Sequence, residues 1–148
     1  MDIYTISFLI STFWIGPFWI AMLINPNEKK TKELMSKPLF FVGPVLIWFI
    51  LMLLNPQELI DFFNMGSHPE GFMIGMSKGL ATKIGATATW AHMVAGDIFA
   101  TRWVWADGIK RNSNLSLLRI SIFFSVILMP LGIVLHLIFR VKINNSSA

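Results

Sequence analysis

The chain has 148 residues, of which 55% are hydrophobic and only 14% are charged. A soluble domain has about 45–50% apolar and about 25% charged residues, so this composition is typical of a membrane protein. The chain has no cysteine, which excludes disulfides, thiolate metal sites and cysteine nucleophiles. Its net charge of +4 comes mostly from short loops, which favours contact with anionic lipid headgroups over nucleic-acid binding.

Four hydrophobic segments predict an all-α integral membrane protein, a single domain over residues 1–148 in which four transmembrane helices form one bundle. Their approximate bounds are 3–24, 38–54, 80–106 and 117–139. The first segment follows Asp2 at once, without a basic leader or an obvious cleavage site. We therefore expect this segment to remain in the mature protein.

The loops differ in charge, which predicts an orientation. The first loop is rich in lysine and the third contains Lys110 and Arg111, whereas the connection over 55–79 is mainly acidic. By the positive-inside rule the first and third loops face the cytoplasm or stroma, and both termini face outward or toward the lumen. Arg140 and Lys142 count against this orientation. The membrane expected is a bacterial inner membrane or a thylakoid or other plastid membrane.

Two local features concern helix shape. Pro17, Pro44 and Pro130 each lie inside a predicted span, where proline removes a backbone hydrogen bond and kinks the helix. The third span has no proline and is predicted to be the straight element of the bundle. Within the long acidic connection, residues 55–66 set apolar Leu59, Phe62 and Phe63 against acidic Glu58 and Asp61, which favours a short interfacial helix.

The third span is the polar one, because it carries His92, Asp97 and Arg102. At about 100° per residue, His92 falls in a stripe of small side chains, which predicts that it points into the bundle rather than at lipid. The stripe consists of Gly85, Thr89, His92, Gly96 and Ala100. Asp97 lies about 140° from His92, and Arg102 about 140° further, so the three do not share a face.

Each polar residue also has a structural interpretation. A carboxylate such as Asp97 near the bilayer centre needs a partner. Arg102 is close enough to the predicted cytoplasmic end to extend into the headgroups or pair with Asp107. A histidine in a helix seam is commonly a packing residue.

His136 is expected near the outward end of the fourth span, in the same half of the membrane as His92. Two histidines and one carboxylate lack the ligand number and the Glu-x-x-His pairing of a di-iron bundle, so we predict no metal. His68 is expected to be a solvated loop residue.

The aromatic residues supply candidates for binding an apolar ligand. Trp14, Trp19 and Trp90 are placed where they can line a cavity, and Phe99 and Trp103 flank the polar positions of the third span. Tryptophans near span ends, Trp103 among them, also suit interface belts or the core. The candidate substrate-binding residues are therefore Trp14, Trp19, Trp90, Phe99 and Trp103.

The stretch "WAHMVAGDIFATRWVWADG" resembles the signature of the abscisic-acid-deficient-four-like family of small membrane proteins, which includes plant neoxanthin synthase. Matching positions are Trp90, His92, Asp97, Phe99, Arg102 and Asp107-Gly108. "GPFWIAMLINP" and "PLGIVLH" extend the likeness over nearly the whole chain. The resemblance implies that the functional positions are His92, Asp97, Arg102 and His136.

The resemblance further implies a neoxanthin synthase-like activity, the isomerisation of violaxanthin to neoxanthin. In that reaction an epoxide opens while a proton leaves a neighbouring carbon, which needs a base and an acid but no redox cofactor. The leading hypothesis is carotenoid or isoprenoid isomerisation, or binding, within the bilayer. Alternatives are a non-enzymatic scaffold subunit of a pigment-protein or biosynthetic complex and, third, a small transporter. The partners considered are the lipid bilayer, a carotenoid or other long isoprenoid ligand, and a homo-oligomer or pigment-protein complex.

Overall fold

The computed structural model describes residues 1–64 and 67–145, with side chains described as far as residue 140. Within these residues the chain is all-helical, as predicted. The helices are α1 (Ile3–Trp14), α2 (Gly16–Ile24), α3 (Lys29–Ser36), α4 (Leu39–Leu54), α5 (Pro56–Asn64), α6 (Phe72–Leu80), α7 (Lys83–Lys110), α8 (Leu115–Ile127) and α9 (Met129–Asn145).

Two stretches have the length and composition needed to cross a membrane. Helices α1 and α2 continue one another as Ile3–Ile24, and α3 and α4 together form Lys29–Leu54. Pro17 occupies the first turn of α2, where its missing N–H leaves no hydrogen bond unmade. Pro44 lies inside α4, so that helix loses a bond without ending. These stretches coincide with the first two predicted spans, the second extended by α3.

Helix α7 is the centre of the bundle and runs for 28 residues without a break. This confirms that the proline-free segment is a single long helix, about 42 Å in length. It packs against α1, α4, α8 and α9. One face of α7 supplies the core, and its buried residues are Ile84, Thr87, Ala88, Ala91, Val94, Ile98, Thr101, Val104, Trp105 and Gly108.

The segment predicted as a fourth span, 117–139, is instead a helical hairpin, and that prediction is wrong. Helix α8 ends at Ile127, and the backbone of the next residue, Leu128, leaves the helical region (φ −143°, ψ 77°). Helix α9 then returns along α8, and a Cβ added to Gly132 would lie 2.2 Å from the Ser125 backbone nitrogen. Pro130 and Gly132 explain the reversal, because proline starts a helix readily and glycine lets two backbones meet.

The hairpin changes the position of the C-terminal part of the chain. With 13 residues, α8 is about 20 Å long, shorter than the roughly 30 Å hydrocarbon core. Because α9 returns, Arg140 lies beside Asp107 at the C-terminal end of α7. Arg140 is therefore on the side of the third loop, whereas Asp2 pairs with Lys83 at the other end of α7. The prediction that both termini face the same side is therefore wrong, because the hairpin returns α9 to the third-loop end.

The acidic connection forms two short helices. Helix α5 confirms the predicted helix over 55–66, of which residues 65 and 66 lie outside the described residues. It buries none of its side chains. Helix α6 was not predicted; it leads into α7, where Gly85 contacts the Gly79 carbonyl so closely that a Cβ would clash at 2.0 Å.

Candidate functional site

His92 lies on the outer surface of α7 and is exposed, not directed into the bundle as the small-residue stripe predicted. The buried face of α7 is centred near Ile98, about 120° from His92, because larger apolar residues fill the core there. The stripe is accordingly half-buried or exposed, and a Cβ added to Gly96 would meet no atom within 4 Å.

The exposed imidazole of His92 borders a groove between α4 and α7. The groove has a volume of about 280 Å³ and is lined by Val45, Trp48, Phe49, His92 and Ala95. His92 is the ionisable member of an otherwise apolar set. Sequence analysis missed Val45 and Phe49 because α4 is apolar all around, so its pattern does not reveal which side faces α7.

Asp97 is half-buried one and a half turns further along α7. Its backbone carbonyl accepts a hydrogen bond from Thr101 Oγ1 at 2.7 Å. No residue in the described part of the chain forms a hydrogen bond or an ion pair with its carboxylate. As predicted, Asp97 lies about 140° around α7 from His92, so it does not border the α4–α7 groove.

Arg102 holds α3 to the bundle. Its Nε donates to the Met35 carbonyl at 2.8 Å, and its guanidinium lies 5.3 Å from the centre of the Phe40 ring. The alternative that Arg102 pairs with Asp107 is wrong, because Asp107 instead binds Arg111 and His136. A cation at the C-terminal end of a helix is stabilised by the unpaired carbonyls and the helix dipole, which explains why Arg102 binds there.

His136 is 3% exposed and lies in a closed polar cluster at the C-terminal end of α7. Its Nε2 is 3.0 Å from Asp107 Oδ2. Arg111 Nε donates to both Asp107 oxygens at 2.9 Å, and Arg140 Nη1 lies 3.9 Å from Oδ2. The i,i+4 spacing of Asp107 and Arg111 is the sequence signal that points to this cluster.

His136 therefore lies at the C-terminal end of α7 and not near the level of His92, contrary to the expectation that the two histidines are close in depth. From His92 to the level of Asp107 the rise along α7 is about 22 Å. The hairpin accounts for the difference, since a single straight α8–α9 helix would have carried His136 to the other end. Together, His92, Asp97, Arg102 and His136 occupy four separate environments rather than one pocket.

Three of the candidate aromatic residues pack between helices. Trp14 Nε1 donates to the Leu39 carbonyl at 2.9 Å, and its indole packs against Gly43. Trp90 Nε1 donates to Thr12 Oγ1 at 2.8 Å. Trp19 tilts against Phe123 at 5.9 Å, and its buried Nε1 has no partner in the described part of the chain.

Phe99 and Trp103 are the two candidates that remain largely exposed, at 58% and 43%. Phe99 contacts Phe40 and Phe41 of α4, and Trp103 meets the His136 ring edge-on at 5.6 Å. On an ideal helix both lie within about 20° of His92. His92, Phe99 and Trp103 therefore form a row along the outer surface of α7, and the rise from His92 to Trp103 is about 16 Å.

Known proteins resemble this chain in sequence. Protein ABA DEFICIENT 4, chloroplastic, from Arabidopsis thaliana is 28% identical over 142 residues, which cover 94% of this chain. The match covers 62% of the length of that relative. No solved structure matches the chain. The sequence model of the ABA DEFICIENT 4-like family matches residues 6–136, so the chain belongs to this family.

Proposed function

We propose that this protein binds one end of a carotenoid or related long isoprenoid in the α4–α7 groove and isomerises it there, with His92 as the acid–base residue. The observation that carries the proposal is the exposed imidazole of His92 at the edge of an apolar, aromatic groove. An imidazole without a hydrogen-bond partner in such a place is available to act as a general acid or base toward a ligand.

The size and position of the groove favour an elongated ligand. Its volume of about 280 Å³ falls just below the roughly 300–1,000 Å³ of typical small-molecule sites. It is therefore suited to one ring end. The rest of the molecule would continue along α7 over Phe99 and Trp103, whose exposed rings offer stacking surfaces.

The groove is also compatible with entry from the bilayer. Phe49 lines the groove and is 52% exposed, so this wall faces the surface that contacts lipid in a membrane protein. A ligand dissolved in the hydrocarbon phase would reach His92 without crossing water. Family membership supports a ligand of the xanthophyll class, in keeping with the neoxanthin synthase-like resemblance.

The proposed reaction is an isomerisation, so its atoms and electrons balance without an oxidant or a reductant. The C–O bond of an epoxide opens, one proton leaves the adjacent chain carbon to form the allene, and one proton reaches the oxygen to form a hydroxyl. Neutral His92 would accept the carbon proton, and its protonated form would supply the proton to oxygen. We assign Arg102 and His136 to positioning, because each binds another part of the chain.

The test uses the full-length protein in lipid nanodiscs containing violaxanthin, with products separated by chromatography. Wild type should convert the epoxide, and His92→Gln should lower the rate by roughly 10²-fold or more, the scale of an acid–base contribution. His68→Gln is the matched control because His68 is a half-buried histidine that does not line the groove and whose ring lies beside Glu70 and Lys78, and it should retain the wild-type rate.

Two results would overturn the proposal. One is a wild-type rate in His92→Gln at equal protein abundance. The other is an absence of turnover in wild type although the pigment remains bound, which would favour the non-enzymatic scaffold of a pigment-protein or biosynthetic complex.

A further inference from the structure

Helix α3 combines a buried apolar side with an exposed basic side. Met35 is fully buried and Thr31 is 3% exposed. On the opposite side Lys29, Lys30 and Lys32 are all exposed, and Lys37 follows directly after the helix. The pattern is that of an amphipathic helix at a boundary between an apolar core and a polar phase.

The position of α3 is fixed by contacts with two other helices. Arg102 Nε of α7 donates to the Met35 carbonyl at 2.8 Å, and Thr31 Oγ1 donates to the Ala21 carbonyl of α2 at 3.4 Å. The lysines are thus attached to a helix that is part of the bundle, not to a free loop.

Most of these lysines have no carboxylate to neutralise them. Lys29 lies 3.8 Å from Glu33, with both side chains largely exposed. For Lys30, Lys32 and Lys37 the described residues contain no ion-pair partner. Each therefore presents an uncompensated positive charge.

The same end of the bundle carries further cations. Trp105 Nε1 donates to the Pro26 carbonyl, which places the C-terminal part of α7 beside the loop that precedes α3. Exposed Lys110 ends α7, and Arg119 Nη2 donates to the Ile24 carbonyl at 2.8 Å. At the opposite end Lys83 pairs with Asp2, and Lys78 pairs with Glu70.

The level of these lysines identifies the phase that they face. Along the chain, α3 is flanked by exposed apolar residues: Ile24 at the end of α2 and Leu39 at the start of α4. In a bilayer those side chains contact hydrocarbon, so the lysines between them lie at the depth of the headgroups.

We propose that Lys30, Lys32 and Lys37 of the α3 segment, together with Lys110, form a docking surface for the headgroups of acidic phospholipids. The surface is separate from the α4–α7 groove and does not depend on the proposed chemistry. Each lysine near an anionic membrane surface strengthens binding to acidic lipids by roughly fivefold. The three lysines of the α3 segment, Lys30, Lys32 and Lys37, therefore account together for roughly 10²-fold.

The experiment compares lipids retained by the full-length protein after extraction from vesicles of equimolar phosphatidylglycerol and phosphatidylcholine. Retained lipids are counted by mass spectrometry. Wild type should be enriched in phosphatidylglycerol, and 0.5 M salt (roughly a threefold rise over physiological ionic strength) should reduce the enrichment because screening shortens electrostatic interactions.

The triple variant Lys30→Gln, Lys32→Gln and Lys37→Gln should lose at least tenfold of this enrichment, within the roughly 10²-fold that three lysines account for. The matched control at the opposite end, Lys78→Gln with Lys83→Gln, should retain it. Equal retention of both lipids by wild type, or undiminished enrichment in the triple variant, would overturn the proposal. Thermal unfolding of each variant checks that a loss of enrichment does not come from loss of the fold.

Discussion

His92 and His136 belong to the same bundle, yet their surroundings are opposite. His136 is 3% exposed and lies 3.0 Å from a carboxylate that two arginines also approach. His92 is exposed beside an apolar groove, and its ring makes no hydrogen bond in the described part of the chain. A histidine whose hydrogen bonds are satisfied holds helices together, whereas one without a partner is free for a ligand.

The largest expected effect on stability tests the first half of this comparison. His136→Leu keeps an apolar side chain of similar size but removes the contact with Asp107. A buried hydrogen bond to a charged group contributes roughly 1.5–3 kcal/mol, so the free energy of unfolding in detergent should fall by about that amount. His68→Leu is the control. An unchanged unfolding midpoint for His136→Leu would mean that the cluster does not fasten the hairpin to α7.

Asp97 sharpens the comparison because it also lacks a partner but lies outside the groove. Asp97→Asn should lower turnover by less than about tenfold, well below the roughly 10²-fold expected for His92→Gln. The reason is the angle of about 140° between the two side chains. Steady-state rates at equal protein abundance provide the measurement. A 10²-fold loss would mean that the ligand reaches both faces of α7, as the family pattern first suggested.

Arg102 belongs with His136 in the structural group. Arg102→Lys removes the Nε donor that binds the Met35 carbonyl, and lysine cannot reproduce that planar geometry. We expect a loss of about 1 kcal/mol in stability and faster hydrogen exchange in α3, with little change in ligand affinity. If affinity fell while exchange in α3 stayed the same, Arg102 would belong to the ligand site.

The smallest effect concerns Asp2, at the start of α1. The backbone N–H of Thr5 donates to its carboxylate, Lys83 Nζ lies 2.9 Å away, and together they hold the pKa of Asp2 below its usual range. Its contribution to stability is present above the unfolded pKa of about 3.9 and is lost as the pH falls through the lower folded value. Asp2→Asn should flatten that part of the stability–pH profile slightly, and an identical profile would contradict the assignment.

Sequence reasoning succeeded where a local pattern determines the outcome. The absence of proline predicted the unbroken α7, and the charge pattern of residues 55–66 predicted α5. The spacing of His92 and Asp97 predicted that they lie on different faces. These features depend on neighbours along the chain, which the sequence displays directly.

The failures concern contacts between distant segments. Residues 117–139 form one continuous apolar run in the sequence, so hydropathy predicts a single span. In the structure the chain reverses at Leu128 and Gly132 packs against Ser125, a contact that a hydropathy profile does not contain. The small stripe of α7 suggested a helix partner, but Ile98 and its neighbours fill the seam on the other side. Which side of a helix meets which neighbour depends on volumes and on chain reversal, and periodicity reports neither.

The central claim is that the α4–α7 groove holds the ligand, and filling the groove tests it most directly. Ala95 lines the groove, whereas exposed Ala86 lies on another face of the same helix, about 180° away. Binding of violaxanthin to Ala95→Phe and Ala86→Phe is measured in nanodiscs by quenching of tryptophan fluorescence. We predict at least a tenfold loss of affinity, about 1.4 kcal/mol, for Ala95→Phe and wild-type affinity for Ala86→Phe. Equal affinity in both variants would contradict the account.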